Sequence, residues 1–174
     1  MKFWLQGLIP AKSGWLKLDK YLFINMFIAL IISIYVFSRF SFGHGLLHGC
    51  IPADYYMIDH NNKTFEVGEL VAFSMPMEVP FIKKGSTVVK IVAGKGGDKI
   101  KVTMQGVYNG KLFFPADADR ISKKYKIPRE SIERNLTVPD GDMFLVGQTD
   151  YSYDSRFWGT IKSNTVIGKT YAIY

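Results

Sequence analysis

A chain of 174 residues has room for one domain with a short appendage, which excludes multidomain enzymes and repeat arrays. Apolar residues make up 48% and charged residues 21%, so the chain is not disordered and contains enough apolar side chains for a core. The formal charge is +7, but residues 43–174 carry only +3 of it, which argues against a nucleic-acid partner. The single cysteine, Cys50, excludes an intrachain disulfide scaffold.

An uncharged apolar run covers residues 21–38, near the minimum length for a helix that crosses the hydrocarbon core of a membrane. A soluble domain of this size rarely contains a helix that is apolar on every face, so we predict a transmembrane helix over 21–42. Four lysines precede the run and only Arg39 follows it directly. The positive-inside rule then predicts a cytoplasmic segment 1–20 and an extracytoplasmic domain 43–174.

Beyond residue 42 the apolar pattern shortens to runs typical of β-strands, rich in β-branched and aromatic residues and bounded by Gly, Pro or Asp. Strands are predicted at 69–73, 87–93, 99–103, 143–146 and 165–167. Asn109 and Gly110 predict a two-residue hairpin turn. The polar, charge-mixed stretch 117–134, interrupted by Pro128, predicts one or two short surface helices. The fold class expected is a mainly β, antiparallel domain on a single N-terminal transmembrane helix.

The most specific motif is the segment 147–159, which reads GQTDYSYDSRFWG. It resembles the GDNxxxSxDSRxxG box of the type I signal peptidases, which are membrane-anchored proteases with a serine–lysine dyad. Six positions match in register: Gly147, Ser152, Asp154, Ser155, Arg156 and Gly159. The resemblance is closest to the TraF-type branch, which processes pilins in conjugative transfer systems.

Two further segments resemble boxes of the same family. The segment 90–98 is similar to KRVxxxPGD, with Ile91 in place of the arginine and Gly96 in place of the proline. The segment 68–73 corresponds to GDxVxF. With these segments the resemblance covers most of 43–174 and the preceding anchor, and it implies the signal-peptidase β fold.

The nucleophile position is where the sequence departs from the family pattern. Soon after the helix the family has a Ser-x-Pro box, and here Cys50-Ile51-Pro52 stands in that place. Ser74-Met75-Pro76 is an alternative, but it follows the 68–73 box, whereas in the family the nucleophile precedes it. We therefore expect Cys50 at the nucleophile position, with Ser74 or an inactive relative as the other interpretations.

The residues themselves suggest chemistry for Lys90. Because Val88 and Val92 share its face of the strand, the amine is expected to be desolvated, and burial disfavours the ammonium and favours a general base. A surface strand lysine is the alternative interpretation. A thiol is easier to deprotonate than an alcohol, so Cys50 and Lys90 suit each other as nucleophile and base.

The resemblance implies roles for the remaining site residues. Ser152 would hydrogen-bond Lys90 and orient its amine, and Asp154 and Arg156 would form an ion pair that shapes the site. The backbone N–H of Cys50 would donate to the oxyanion. His48 stands where many relatives have a second donor, and a Cys50–His48 pair is an alternative way of activating the thiol.

The function implied is a membrane-bound signal peptidase of the bacterial inner membrane, with its catalytic domain in the periplasm. It would cleave, or cleave and ligate, an exported pilin precursor in a conjugative type IV secretion system. The expected partners are the pilin or another preprotein, the lipid bilayer and secretion components, with no nucleic acid, cofactor or metal. A housekeeping signal peptidase and an inactive homologue that serves as a membrane assembly factor are the alternatives.

Overall fold

The computed structural model describes residues 13–45 and 49–174, with side chains from residue 20 onward. These residues form two compact units, one that ends at Ser38 and one that spans Arg39–Tyr174. The helices are α1 (Ser13–Arg39), α2 (Asp119–Tyr125), α3 (Arg129–Ile132) and α4 (Ser155–Trp158). The strands are β1 (Phe40–His44), β2 (Tyr55–Asp59), β3 (Leu70–Ser74), β4 (Thr87–Lys95), β5 (Lys99–Thr103), β6 (Gly106–Asn109), β7 (Leu112–Pro115), β8 (Arg134–Thr137), β9 (Asp142–Val146), β10 (Ile161–Lys162) and β11 (Val166–Ile173).

The N-terminal unit is the long helix α1, whose portion Lys20–Arg39 is long and apolar enough to cross a membrane. Twenty residues at 1.5 Å each give about 30 Å, the thickness of a hydrocarbon core. Its large apolar side chains are exposed on all sides of the helix. This pattern is typical of a membrane span, because a core helix would bury at least one face.

The second unit contains two antiparallel sheets. Seven strands form the larger sheet in the order β1-β2-β11-β3-β4-β9-β10, and four form the smaller one in the order β7-β6-β5-β8. All strand pairs in both sheets are antiparallel. The predicted mainly β, antiparallel fold class is therefore confirmed.

Two apolar cores pack against the central strands β3, β4 and β9 of the larger sheet. The Phe73 core consists of Val71, Phe73, Met75, Val88, Val92, Met143, Leu145, Ile161 and Val166. The Phe144 core consists of Ile51, Tyr56, Ile91, Ala93, Ile100, Val102, Met104, Val107, Ala118, Ile132, Val138, Phe144 and Val146. Because residues of β4 contribute alternately to the two cores, this strand is covered on both faces.

The predicted strands and the two short helices in 117–134 are present. The hairpin between β6 and β7 is also present, but its loop residues are Gly110 and Lys111, one position later than predicted. The shift arises because Asn109 stays in the strand, where its side-chain amide donates to the Ala93 carbonyl at 3.0 Å and to Asp98 at 2.8 Å. Gly110 then supplies the positive φ that the first loop position of a type II′ turn requires.

The boundary between helix and β unit also differs from the expected one. Helix α1 ends at Arg39, three residues before the predicted end of the transmembrane segment at 42. Residues 40–44 instead pair with β2. Phe40 and Phe42 thus belong to the sheet, because alternation of apolar and small or polar residues over 40–44 suits a strand.

Candidate active site

Lys90 lies at the centre of the larger sheet, on β4 and opposite Val71 of β3. Its side chain is completely buried and shares a strand face with Val88 and Val92, both members of the Phe73 core. The prediction that these valines desolvate the lysine is confirmed. A buried lysine is uncommon because removing an ammonium from water is costly, so its amine needs specific polar partners.

Ser152 is that partner. Lys90 Nζ donates to Ser152 Oγ at 2.7 Å, and the Ser152 hydroxyl donates to Asp154 Oδ2 at 2.7 Å. Both Ser152 and Asp154 are fully buried. Because the only hydroxyl proton of Ser152 points to Asp154, the serine oxygen acts as an acceptor for Lys90, and the order Lys90–Ser152–Asp154 is fixed.

Asp154 and Arg156 form a buried ion pair. Arg156 Nε donates to Asp154 Oδ1 at 2.8 Å and Arg156 Nη2 donates to Oδ2 at 2.9 Å, a two-point contact between guanidinium and carboxylate. Burial alone would raise the pKa of Asp154, but the charge and hydrogen bonds of Arg156, the charge of Lys90 and the N–H of Gly147 together lower it. Asp154 is therefore a carboxylate at neutral pH.

Arg156 also binds main-chain oxygens, since it donates to the carbonyl of Ala116 and, at 3.5 Å, to that of Ser152. The carboxylate of Asp154 in turn accepts from the backbone N–H of Gly147 at 3.0 Å and of Arg156 at 3.2 Å. These bonds join the start and the end of the segment 147–156. The geometry shows why the spacing of the motif is fixed: one carboxylate organises the whole segment.

The Cys50 backbone is held against the same segment. Its carbonyl accepts from Gln148 N at 2.7 Å and Thr149 N at 3.4 Å, and Thr149 Oγ1 donates to the Gly49 carbonyl at 2.7 Å. A methyl group on Gly147 would overlap Ser152 Oγ and lie 2.7 Å from the Cys50 carbonyl oxygen. Cys50 and Ser152 therefore approach each other across Gly147, and only glycine leaves room for both.

Hydrogen bonds from neighbouring residues hold the segment that carries Cys50. Gly45 N donates to the Asp54 carbonyl at 2.7 Å, in a contact too tight for any side chain at residue 45. The Tyr56 hydroxyl donates to the Ile51 carbonyl at 3.0 Å. Burial, and then the nearby Cys50 and Tyr174, raise the pKa of Tyr56, so the hydroxyl keeps its proton and remains a donor. Cys50 itself is half-buried.

Ser74, the alternative nucleophile considered from the sequence, does not share a face with Lys90. It pairs with Thr87 at the end of β3, whereas Lys90 pairs with Val71, three residues away and about 10 Å along the strand. The odd-numbered residues Val71 and Phe73 point into the Phe73 core, so Ser74 points to the opposite side of the sheet. His48 lies outside the described residues.

Several contacts of the site could not be predicted from the sequence. Arg134 donates to the carbonyls of Arg156 at 3.0 Å and Ser155 at 3.1 Å. Lys90 Nζ also lies 5.7 Å from the ring centroid of Trp158. The role of Gly147 in joining Cys50 to Ser152 appears only after folding, although its position at the start of the motif was visible.

The site thus combines a buried lysine amine, a serine that accepts a hydrogen bond from it and an ion pair that fixes the serine, which are the contacts expected from the motif resemblance. The family model described as signal peptidase, peptidase S26, matches residues 15–174, and the chain belongs to this family. It is thus a peptidase, a hydrolase of the signal peptidase I type.

A curated relative and a solved structure are similar to the chain. The relative is described as "Probable signal peptidase I-2" from Synechocystis sp., 22% identical over 169 residues, covering 93% of this chain and 74% of the relative. The structure is a signal peptidase I from Enterococcus faecalis V583, 24% identical, with a TM-score of 0.43, covering 62% of this chain and 97% of that one.

Proposed function

We propose that the chain cleaves exported preproteins at the membrane surface, with Cys50 as nucleophile and Lys90 as general base. The observation that carries the proposal is the fully buried Lys90 amine, which donates to Ser152, whose hydroxyl in turn donates to Asp154. A lysine placed there for stability alone would be costly, because Arg156 already neutralises the one carboxylate in the group. We therefore infer a catalytic role for the Lys90 amine, that of the general base.

Ser152 determines which way that base faces. Since the serine hydroxyl donates to Asp154, the amine must donate one N–H to Ser152 Oγ. The lone pair of a neutral amine is then directed away from Ser152 and is free to accept a proton. Ser152, Asp154 and Arg156 are in this proposal the residues that orient the base, and they take no direct part in bond making.

The reaction follows from these roles. The Cys50 thiol attacks the scissile carbonyl while Lys90 takes its proton, and the developing oxyanion accepts from the Cys50 N–H. Lys90 then protonates the leaving amine, which gives a thioester. In the second step Lys90 takes a proton from a water molecule that attacks the thioester, the acyl product leaves as a carboxylic acid, and Lys90 returns the proton to the Cys50 thiolate. His48 is proposed as a second oxyanion donor.

The proposed location is a single-pass membrane protein with residues 1–20 in the cytoplasm and 43–174 in the periplasm. Besides the lysines before the helix, an exposed apolar face supports contact with the bilayer. Two rows of paired residues cross β1, β2 and β11 on this face, Phe42–Met57–Tyr171 and His44–Tyr55–Ile173. Since β1 follows the span directly in the chain, these side chains suit the membrane interface, where aromatic residues are favoured.

A pilin precursor of a conjugative system is the proposed substrate, on the strength of the motif resemblance to the TraF-type branch. A thioester at Cys50 reacts with amines more readily than an ester does, which would suit joining the new terminus to the other end of a pilin. A housekeeping role is the second candidate, since the general signal peptidase I chemistry would serve both. A list of the precursors that accumulate when the chain is absent separates the two.

The test of the nucleophile uses the full-length protein reconstituted in liposomes with a labelled preprotein. Cys50→Ala is expected to abolish cleavage, whereas Ser74→Ala is the matched control and keeps it. Cys50→Ser is expected to keep or increase activity, because an alcohol is the nucleophile usual for this family. If only Cys50→Ser cleaves and the natural protein does not, the cysteine is a disabling substitution and the assembly-factor alternative is favoured.

The test of the location uses reporter fusions after residue 60. A reporter that is active only outside the cytoplasm should give signal, and one that is active only inside should not, because the positive charges precede the helix. Signal confined to the cytoplasmic reporter would contradict the topology and the preprotein substrate together.

A further inference from the structure

Trp158 is the aromatic residue nearest to the Lys90 amine in the described site. It ends helix α4, six residues after the serine that binds the amine, and its ring centroid lies 5.7 Å from Lys90 Nζ. It also packs against the Phe73 core, whose face of the sheet carries Lys90. The amine is therefore bounded by a serine oxygen and by an aromatic ring.

The position of this ring is determined by packing. Trp158 N donates to the Asp154 carbonyl at 3.2 Å, which ties the residue to the ion pair, and its ring lies 5.6 Å from that of Tyr153. The indole Nε1 is buried and has no hydrogen-bond partner among the described residues. A buried tryptophan usually finds a partner for this group, so no hydrogen bond of the indole accounts for its place beside Lys90.

The charged groups around Lys90 do not by themselves balance a positive charge on its amine. When Lys90 accepts a proton it becomes a fully buried ammonium, and the charged groups connected to it through Ser152 are Asp154 and Arg156. Arg156 binds Asp154 directly and has already neutralised it. The negative face of an indole attracts a cation, most strongly where water is excluded. Trp158 is the group near Lys90 that can supply this stabilisation without adding a charge.

We propose that Trp158 is a positioning residue for the general base, whose ring stabilises the ammonium that Lys90 forms during each proton transfer. The proposal rests on the proposed role of Lys90. It assigns to the tryptophan a task that an apolar residue of similar size cannot perform, because only an aromatic ring carries the quadrupole that attracts the cation.

The test measures the protonation of Lys90 directly and needs no substrate. Full-length Cys50→Ala protein in micelles, labelled with ¹³C-lysine, is titrated by NMR, with the Lys90 signal assigned from its absence in Lys90→Met. Removing the thiol leaves no second titrating nucleophile. The midpoint of the Lys90 titration should fall by about half a pH unit or more in Trp158→Leu and by less in Trp158→Phe. Phe81→Leu is the control, since Phe81 contacts Tyr153 and is not among the rings near Lys90.

An unchanged midpoint in a folded Trp158→Leu protein would overturn the proposal, and so would equal shifts in the Leu and Phe variants, which indicate packing alone. If the Leu variant unfolds, Trp158→Phe still decides, because it keeps an aromatic ring but a weaker quadrupole; its midpoint must be lower than that of the parent. Cleavage by Lys90→Met in the Cys50 protein would defeat the proposed function and leave the NMR result intact, so the two failures are distinguishable.

Discussion

Lys90 and Lys101 occupy similar sequences, since each lies in a strand among β-branched residues, yet one is completely buried and the other is exposed. The difference lies in the strands. Strand β4 is covered on both faces by the two cores, whereas β5 buries only the face of Ile100 and Val102 and leaves the other to solvent. The comparison shows that the immediate neighbours of a lysine in a strand do not decide its burial, because what matters is whether the sheet face that carries the lysine is covered.

The energetic consequence differs in the same way. Lys101 stays hydrated and needs no partner, whereas burial of Lys90 requires the surrounding Ser152, Asp154 and Arg156 to be fully hydrogen-bonded. A buried polar group of this kind is sensitive to the loss of any one member.

The largest expected effect separates the two lysines. Lys90→Met should lower preprotein cleavage roughly 10⁴-fold or more, because the base is removed while the volume is kept. Lys101→Met should leave cleavage within about twofold, since the exposed amine can be lost without cost. Initial rates of precursor processing in liposomes give both numbers. Normal cleavage by Lys90→Met would eliminate the lysine mechanism and favour the Cys50–His48 pair.

The second contrast concerns two ion pairs. Arg156→Met should lower the free energy of unfolding by about 3–5 kcal/mol, because it leaves Asp154 as an unpaired buried carboxylate. Arg129→Met breaks an exposed pair with Glu133, four residues on in sequence, and should cost less than about 0.5 kcal/mol. Urea unfolding in detergent, followed by tryptophan fluorescence, measures both. Equal losses in the two variants would show that the buried pair contributes no more to the free energy of unfolding than the exposed pair does.

The third contrast compares two glycines without strained backbones. Gly147→Ala places a methyl group against Ser152 Oγ and the Cys50 carbonyl, and should destabilise the protein by about 1–3 kcal/mol and lower cleavage beyond that loss. Gly43→Ala, whose added methyl would meet no atom within 4 Å, should change neither. Thermal unfolding and cleavage rates are the measurements. Full activity of Gly147→Ala would contradict the close approach of Cys50 and Ser152.

Much of the fold could be predicted because one long apolar run is typical of a helix and the shorter runs of alternating apolar and polar residues are typical of strands. The apolar helix, the main strands and the polar helices of 117–134 could all be predicted from the pattern of apolar and polar residues. What could not be read was register: Asn109 remains in the strand because Ala93 and Asp98, distant in sequence, accept from its side chain. The helix end at Arg39 was likewise decided by pairing of 40–44 with β2.

For the site, the motif resemblance indicated the residues and the structure gave their connections. The Lys90–Ser152 hydrogen bond and the Asp154–Arg156 ion pair match the expected contacts. The link from Ser152 to Asp154 and the ring of Trp158 beside Lys90 were not foreseen, because spacings of two and six residues do not determine which side chains meet in a segment that is irregular before the short helix α4. The catalytic roles of Cys50, Lys90 and His48 remain predictions.

The smallest expected effect is a pH dependence that only the buried carboxylate should show. The pKa of Asp154 is lowered in the folded state, so between that value and its unfolded value of about 3.9 the unfolded chain binds more protons and stability falls as pH falls. Above pH 5 the contribution is fully present and constant. The difference in unfolding free energy between the natural protein and Asp154→Asn should therefore be flat from pH 7 to 5 and shrink below about pH 4.

Asp119→Asn is the exposed control for this measurement. Its ion pair with Lys123, in the first turn of α2, is open to solvent, so the corresponding difference should stay near zero throughout. Subtracting each variant from the natural protein cancels the other carboxylates with lowered pKa values, such as Asp142 and Glu69. A difference for Asp154→Asn that widens on acidification would reverse the sign of the linkage. It would mean that Asp154 is protonated in the folded protein, and Ser152 would then no longer be bound to a carboxylate that fixes its hydroxyl.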